Sequence, residues 1–501
     1  MFNVFLCISY DVFPVIFLFI EGFAVMTSFD PFSSIIALGM KLRTRELSSE
    51  CITRFYLDRI KKYDAAHRAF VEVLESRALE EARRADSDFN AGIDHGPLHG
   101  IPYAIKDLYD VTGVPTRAGT ELLDENVPKA DAFIVSRLRA LGAVLVGKTH
   151  TVQFAYGGVG VNNKLGTPVN PWANEHYVPG GSSSGSGVAV GAGLVPMALG
   201  SDTGGSVRIP ASFNSVTGLK TTVGQISRRG VFPLSWTLDS VGPLTRDASD
   251  AEVVYRLMAE KDIEDPSMQV FRPLAAEQND ESSASLVGHR LVFAESVFFE
   301  KCDPEVAASV LSTSAIFSDL GASIEHRPFD VANAALELNP RGLVIAAEAY
   351  YSNRYWVDEH FEELDPIVSH RMIKGREVTA VDYLDIQNGL ASIRSRAIDF
   401  FKSADALLVP TVMIPPCTLA SCQSSVEAYS KTNVSCLRNT AIGNILNLSA
   451  VTIPCGFNVQ GLPIGLMIYG RPFDELKVLK IARAFQDRTR WHLERPEYAS
   501  T

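Results

Sequence analysis

The sequence predicts an α/β protein whose sheet is covered by helices on both faces. Two patterns predict it. Ile134, Leu138 and Leu141 recur at helical spacing, and the all-apolar run Ala143 to Val146 follows them directly. A helix feeding a strand that is apolar on both sides suits a sheet buried on both faces. The same succession returns at Val188 to Met197, where a helix of small residues leads into the start of another strand. The bulk numbers agree, since 46% of the 501 residues are hydrophobic and 21% charged, enough to bury a large core.

The remaining elements follow in order. Ser48 and Ser49 are candidate caps for a helix carrying Ile52, Phe55, Tyr56 and Ile60. A Glu/Ala/Arg-rich helix runs from Ala78 to about Phe89, and Gly96 to Gly100 turns the chain. Ile101 to Ile105 reads as a short strand ending at Lys106 and Asp107. Gln278 to Ser285 reads as a surface insertion, and residues 340–402 as mainly helical. Ala406 to Val409, Ala450 to Pro454 and Ile464 to Tyr469 read as strands. A closing helix carries Val478, Ile481, Ala482 and Phe485, with Asp474 as its expected cap. No internal repeat and no clear domain boundary is visible.

Charge and composition exclude several classes. The net charge of −12 repels a polyanion, so nucleic acid is not an expected partner. Seven cysteines with no Cys-x-x-Cys pair read as reduced thiols, and the ten scattered histidines give no zinc pattern, so no metal is expected. The first 25 residues are apolar and Phe-rich, yet the first basic residue is Lys41, so they lack the charged start of a signal peptide. Three readings compete for them: an extension upstream of a true start at Met26, a membrane-associating segment, or a docked arm. The first is preferred, and with it a cytoplasmic location.

The densest chemical signal is Gly180-Gly181-Ser182-Ser183-Ser184-Gly185-Ser186-Gly187, followed by Ser201-Asp202-Thr203-Gly204-Gly205-Ser206-Val207-Arg208. Amide hydrolysis needs a nucleophile, a base and donors for an oxyanion. Thr203 to Ser206 offers two of these, because glycines turn backbone N–H groups inward and Ser206 is expected to open a short helix. Read alone, a flexible Gly/Ser turn explains the segment slightly better. No histidine is marked as partner to Ser206, whereas Lys106 ends an apolar strand and would be a base if burial kept it neutral. A solvated lysine at a strand end is the ordinary alternative.

Two further matches are misleading. Gly142 to Thr149 fits the phosphate-binding pattern G-x-x-x-x-G-K-[ST], but its middle residues Ala-Val-Leu-Val favour a strand, and a helix leads into it. Gly181-Ser182-Ser183-Ser184-Gly185 fits the G-x-S-x-G elbow of a Ser–His–Asp esterase, but the polar Glu175 to Pro179 precedes it instead of an apolar strand.

Taken together, Gly100-Ile101-Pro102-Tyr103-Ala104-Ile105-Lys106-Asp107, Gly180 to Gly187 and Asp202 to Pro210 resemble the amidase signature family. Leu141 to Thr149, Gly166 to Trp172, Leu238 to Pro243 and Gly461 to Phe473 continue the likeness in the family's order, over about Ser33 to Pro496. The resemblance implies a single three-layer α/β/α domain over 26–501 with a mixed central sheet, residues 1–25 being the extension. It implies Lys106 as catalytic lysine, Ser182 as bridging serine held through a cis peptide, and Ser206 as nucleophile. Thr203, Gly204, Gly205 and Ser206 would form the oxyanion segment, with Asp202 and Arg208 organising it. Ala155 and Tyr156 would join Ser182 and that segment around the substrate. His150, Gln153 and Ser184 depart from residues common in relatives, which bears on substrate more than on chemistry.

The implied activity is hydrolysis of a carboxylic amide to acid and amine or ammonia, through an acyl-serine and without cofactor. The expected partner is a small-molecule amide, with a homodimer left open and membrane contact by the N-terminus not favoured. The alternatives are a membrane-associated lipid amidase, a binding protein retaining the fold, and an amidotransferase subunit that hydrolyses glutamine.

Overall fold

The computed structural model describes residues 29–274, 285–295 and 297–497. The expectations for residues 1–25, and nearly all of the Gln278 to Ser285 insertion, lie outside them. Pro31–Thr501 forms one compact unit.

Eleven strands form one mixed sheet among the described residues. They are β1 Phe70–Val73, β2 Pro102–Lys106, β3 Val144–Thr149, β4 Met197–Asp202, β5 Thr217–Lys220, β6 Ser240–Thr245, β7 Arg290–Ala294, β8 Ser323–Arg327, β9 Ala406–Pro410, β10 Ser449–Phe457 and β11 Pro463–Gly470. Their spatial order is β1-β3-β2-β4-β6-β5-β10-β11-β9-β7-β8. β2 lies parallel to both β3 and β4, β7 lies parallel to β8 and β9, and the other pairs are antiparallel. Every residue of β2, β3, β4, β5, β6, β9 and β11 is buried, as strands covered on both faces must be.

The covering helices follow their sequence signals. Ser48 caps Ser49–His67 by accepting from Cys51 N–H. Glu75–Asn90 buries Ala78, Leu79, Ala82, Ala85 and Phe89. Phe133–Ala140 ends before Gly142, whose φ of 73° takes the chain into β3. The helix Ser184–Gly191 needs its small residues, because a Cβ on Gly185 would sit 2.2 Å from Ala69 O and 2.3 Å from His150 N. Helices Leu343–Glu359, Pro366–Met372 and Ala380–Phe400 fill the stretch read as helical.

Two expectations are corrected. Asp474 precedes the closing helix Glu475–Arg488 but makes no side-chain cap; its carboxylate accepts from Arg471 Nε at 2.8 Å instead. The helix expected to open at Ser206 begins at Arg208 and runs to Phe213.

Candidate active site

Lys106, Thr149 and Asp202 are the last residues of β2, β3 and β4. The carboxyl ends of neighbouring parallel strands are where open α/β sheets gather ligands. Lys106 is completely buried, and its Nζ donates to Ser182 Oγ at 2.8 Å and Ser201 Oγ at 2.9 Å. Among the described residues no carboxylate oxygen lies within 4 Å of it. Burial pulls its pKa down to about 7, against the pull of Asp239 and Asp202.

Ser182 follows a cis peptide bond with Gly181. Its carbonyl accepts from Val152 N–H, and Gly181 N–H donates to Gly158 O, so the segment 152–158 packs against the bend. Ser183 N–H then donates to Ser206 O at 3.2 Å. That bond brings the two serine-bearing loops together, although no hydrogen bond joins the Ser182 and Ser206 hydroxyls among the described residues. Ser206 keeps 5% exposure.

The loop from Asp202 to Arg208 is folded around a carboxylate. Asp202 accepts from the N–H groups of Gly205 at 2.8 Å, Val207 at 3.1 Å and Arg208 at 3.4 Å. It also takes Arg208 Nε at 3.0 Å and Nη2 at 2.9 Å. Burial alone would raise the Asp202 pKa, but the charge and hydrogen bonds of Arg208, with Lys220 and Asn444, hold it well below the carboxylate range. Gly205 has a φ of 137° and a Cβ there would meet Thr440 Oγ1 at 2.2 Å, so this position admits only glycine. Thr440 Oγ1 in turn donates to Gly204 O at 2.6 Å.

The expectation of a helix end with free N–H groups is thus modified. The donors of Val207 and Arg208 are spent on Asp202. The N–H groups of Thr203, Gly204 and Ser206 have no protein acceptor among the described residues. Those three remain available to an oxyanion.

Ala155 and Tyr156 are buried beside this bend, Ala155 with a φ of 59°. Arg371 Nη1 donates to Tyr156 O at 2.8 Å and its guanidinium lies 4.3 Å from the ring centroid. Gln153 accepts from Asp365 N–H, and His150 is buried, with burial lowering its pKa to about 4.

Several partners were not found by sequence reasoning. Ser201 is the second acceptor for Lys106. Asn444 and Tyr469 hold Arg208 at 2.6 and 3.0 Å. Asp239 accepts from Thr203 Oγ1 at 2.5 Å and from the N–H groups of Leu234 and Ser235. The only available signal was its place in Leu238 to Pro243. A cavity of about 300 Å³ includes Ser201, Asp239 and Ser240 in its lining. Its lining does not include Ser206 itself.

The two misleading motifs resolve as expected. Lys148 is buried in β3 and forms a 2.6 Å ion pair with Asp107, so it is a core residue and not a phosphate ligand. Ser183 is buried and donates to Ser201 O, with no strand leading into it. Asp88, His95 and His99 bring ligand atoms within 4.8 Å of one another, a convergence that the scattered histidines did not suggest. His99 Nδ1 already accepts from His95 N–H there. Among the described residues no helix is long and apolar enough to cross a membrane.

The family model Amidase matches residues 51–479. The chain belongs to the amidase family. Among its relatives, 2-amino-5-chloromuconic acid deaminase of Comamonas testosteroni is 36% identical over 450 residues, covering 88% of this chain and 93% of that one. A glutamyl-tRNA(Gln) amidotransferase subunit of Chromohalobacter salexigens is 33% identical over 486 residues, covering 92% and 97%. A solved structure, described as a vestigial complex revealing the origins of an s-triazine catabolic enzyme, superposes with a TM-score of 0.83 at 28% identity, covering 91% and 98%. The protein is therefore an amidase-family enzyme with the fold of an amide hydrolase.

Proposed function

We propose that this amidase hydrolyses its substrate through an acyl-serine on Ser206, with Ser182 relaying protons to and from Lys106. The observation that carries the reading is the buried Lys106 amine, 2.8 Å from Ser182 Oγ, with a pKa near 7 and no carboxylate partner. A neutral amine is a base, and a pKa near the working pH suits proton transfer in both directions. Ser206 Oγ attacks the carbonyl carbon as its proton passes to Ser182 Oγ, while the Ser182 proton passes to Lys106 Nζ. The negative oxygen accepts from the free N–H groups of Thr203, Gly204 and Ser206. Lys106 then returns a proton through Ser182 to the leaving nitrogen, and the C–N bond breaks. Water enters by the same relay and releases the acid.

The preferred reading is an enzyme active without any other protein, as a monomer or homodimer in the cytoplasm. A second reading, a glutamine-hydrolysing component of a transamidating complex, is favoured by the amidotransferase relatives that match more than nine-tenths of the chain. Hydrolysis of an amide panel by the purified chain alone separates the two. Turnover of several small amides is expected. Glutamine hydrolysis alone, and only with an added partner protein, would reverse the order.

A further inference from the structure

The cavity that includes Ser201 and Asp239 is lined by two kinds of residue. One kind is apolar: Leu108, Val231, Phe232, Pro233, Leu234 and Trp236. The other carries charged groups, and each is already engaged. Arg229 pairs with Asp262 and Glu264. Asp239 holds Thr203 and two backbone N–H groups. Asp265 accepts from the N–H groups of Arg228 and Ser267. The Arg228 guanidinium donates to the carbonyls of Trp236 and Asp239. What the cavity offers an incoming molecule is therefore its apolar wall.

One of the apolar lining residues, Trp236, belongs to an aromatic pair. Trp236 is 44% exposed and meets Tyr351, 59% exposed, edge to face with centroids 5.6 Å apart. The residues on either side of Trp236 are tied down by hydrogen bonds. Glu348, buried in the helix Leu343–Glu359, accepts from Ser235 Oγ, Thr237 N–H and Thr237 Oγ1. Gln387 Nε2 adds a bond to Thr237 Oγ1, and Arg228 holds the Trp236 carbonyl. Trp236 thus lines the same cavity as Ser201, whose hydroxyl accepts from Lys106. A rigid, exposed aromatic surface binds another apolar surface at little entropic cost.

We infer that the cavity seats an uncharged aryl or arylalkyl group of the substrate, against Phe232, Leu234 and Trp236, so that this enzyme prefers aromatic amides to small or zwitterionic ones. The inference rests on the assignment of Lys106 and Ser206 as the reacting centre. Burying one phenyl group at such a wall changes kcat/KM by about 10- to 100-fold.

The test compares 3-phenylpropionamide, propionamide and glutamine as substrates of the full chain, with a fluorophosphonate label on Ser206 as an independent check of the centre. The expected result is a kcat/KM for 3-phenylpropionamide at least about tenfold above that for propionamide, with glutamine lowest. In Trp236→Ala that ratio falls about tenfold, and in Trp236→Phe it is largely kept, which separates a ring contact from a folding defect. Ser206 labelling with equal use of the two amides, a preference for glutamine, or a ratio untouched in Trp236→Ala would overturn the inference and leave the catalytic assignment standing. Failure to label Ser206 would remove both.

Discussion

Lys106 Nζ stands 2.8 Å from Ser182 Oγ and shares no ion pair among the described residues, so its charge state is set by burial, with the charges of Asp239 and Asp202 opposing. A lysine in this position is protonated below about pH 7 and neutral above it. The neutral form is the base, so kcat/KM is expected to rise through pH 7 and then level off, falling about tenfold per unit on the acid side. Lys106→Ala should lose about 10²–10⁴-fold at neutral pH and less in alkali, where hydroxide substitutes. Near-normal turnover in that variant would make Lys106 a structural lysine.

Asp239 provides a separate handle on the same titration. Its charge raises the Lys106 pKa. In Asp239→Asn the rising limb of the pH profile should therefore move to lower pH. The loosened Thr203 contact should lower kcat as well. A limb that moves upward, or stays fixed while kcat falls, would mean that Asp239 acts only through the loop.

The two serines should respond differently to the same probe. Ser206→Ala is expected to abolish labelling by a fluorophosphonate, whereas Ser182→Ala slows it and leaves some. Label mapped to Ser183 in the Ser206→Ala chain would support the elbow arrangement that the burial of Ser183 disfavours.

Stability should depend on Asp202 and Arg208 as a pair. Both are fully buried, and removing one partner leaves the other charge unpaired, a loss of about 3–5 kcal/mol. Arg208→Met should show it as a lower midpoint in urea. Asp202 has a folded pKa below its unfolded value, so its contribution is complete above about pH 5 and is lost as the pH falls through the folded value. An unchanged midpoint in Arg208→Met at pH 7 would contradict the pairing.

What could be read in the sequence was local. Lys106, Ser182 and Ser206 sit in short motifs whose glycines and apolar flanks dictate their own backbone. The strand end and the Gly205 turn could be anticipated from neighbours alone, whereas the small-residue helix expected from Val188 begins earlier, at Ser184. The partners that fix those motifs could not be anticipated. Ser201 looks like any strand serine until β2 and β4 are paired, and Thr440, Asn444 and Tyr469 carry no marking that links them to a loop more than two hundred residues away. The helix expected at Ser206 starts only at Arg208, after the non-helical turn at Gly205, whose φ is 137°, and the Asp202 carboxylate accepts from the N–H groups that lead into it. Edge strands such as β8, half exposed and mixed in composition, gave too weak an alternation to read.

The long reach of Arg208 has a consequence for the order in which this enzyme comes to life. Its guanidinium closes on Tyr469, 261 residues further along, and on Asn444. A growing chain thus carries Lys106, Ser182 and Ser206 long before it owns the Asn444 and Tyr469 that hold Arg208 in the Ser206 loop. At ~5–20 residues per second the gap lasts roughly 13–50 s on the ribosome. During that interval the hydroxyl of Ser206 is present but unshaped, and a stalled chain ending before Tyr469 should ignore a fluorophosphonate that the released protein accepts. On the mechanism proposed above, such a delay would spare the peptide and glutamine amides around a nascent chain.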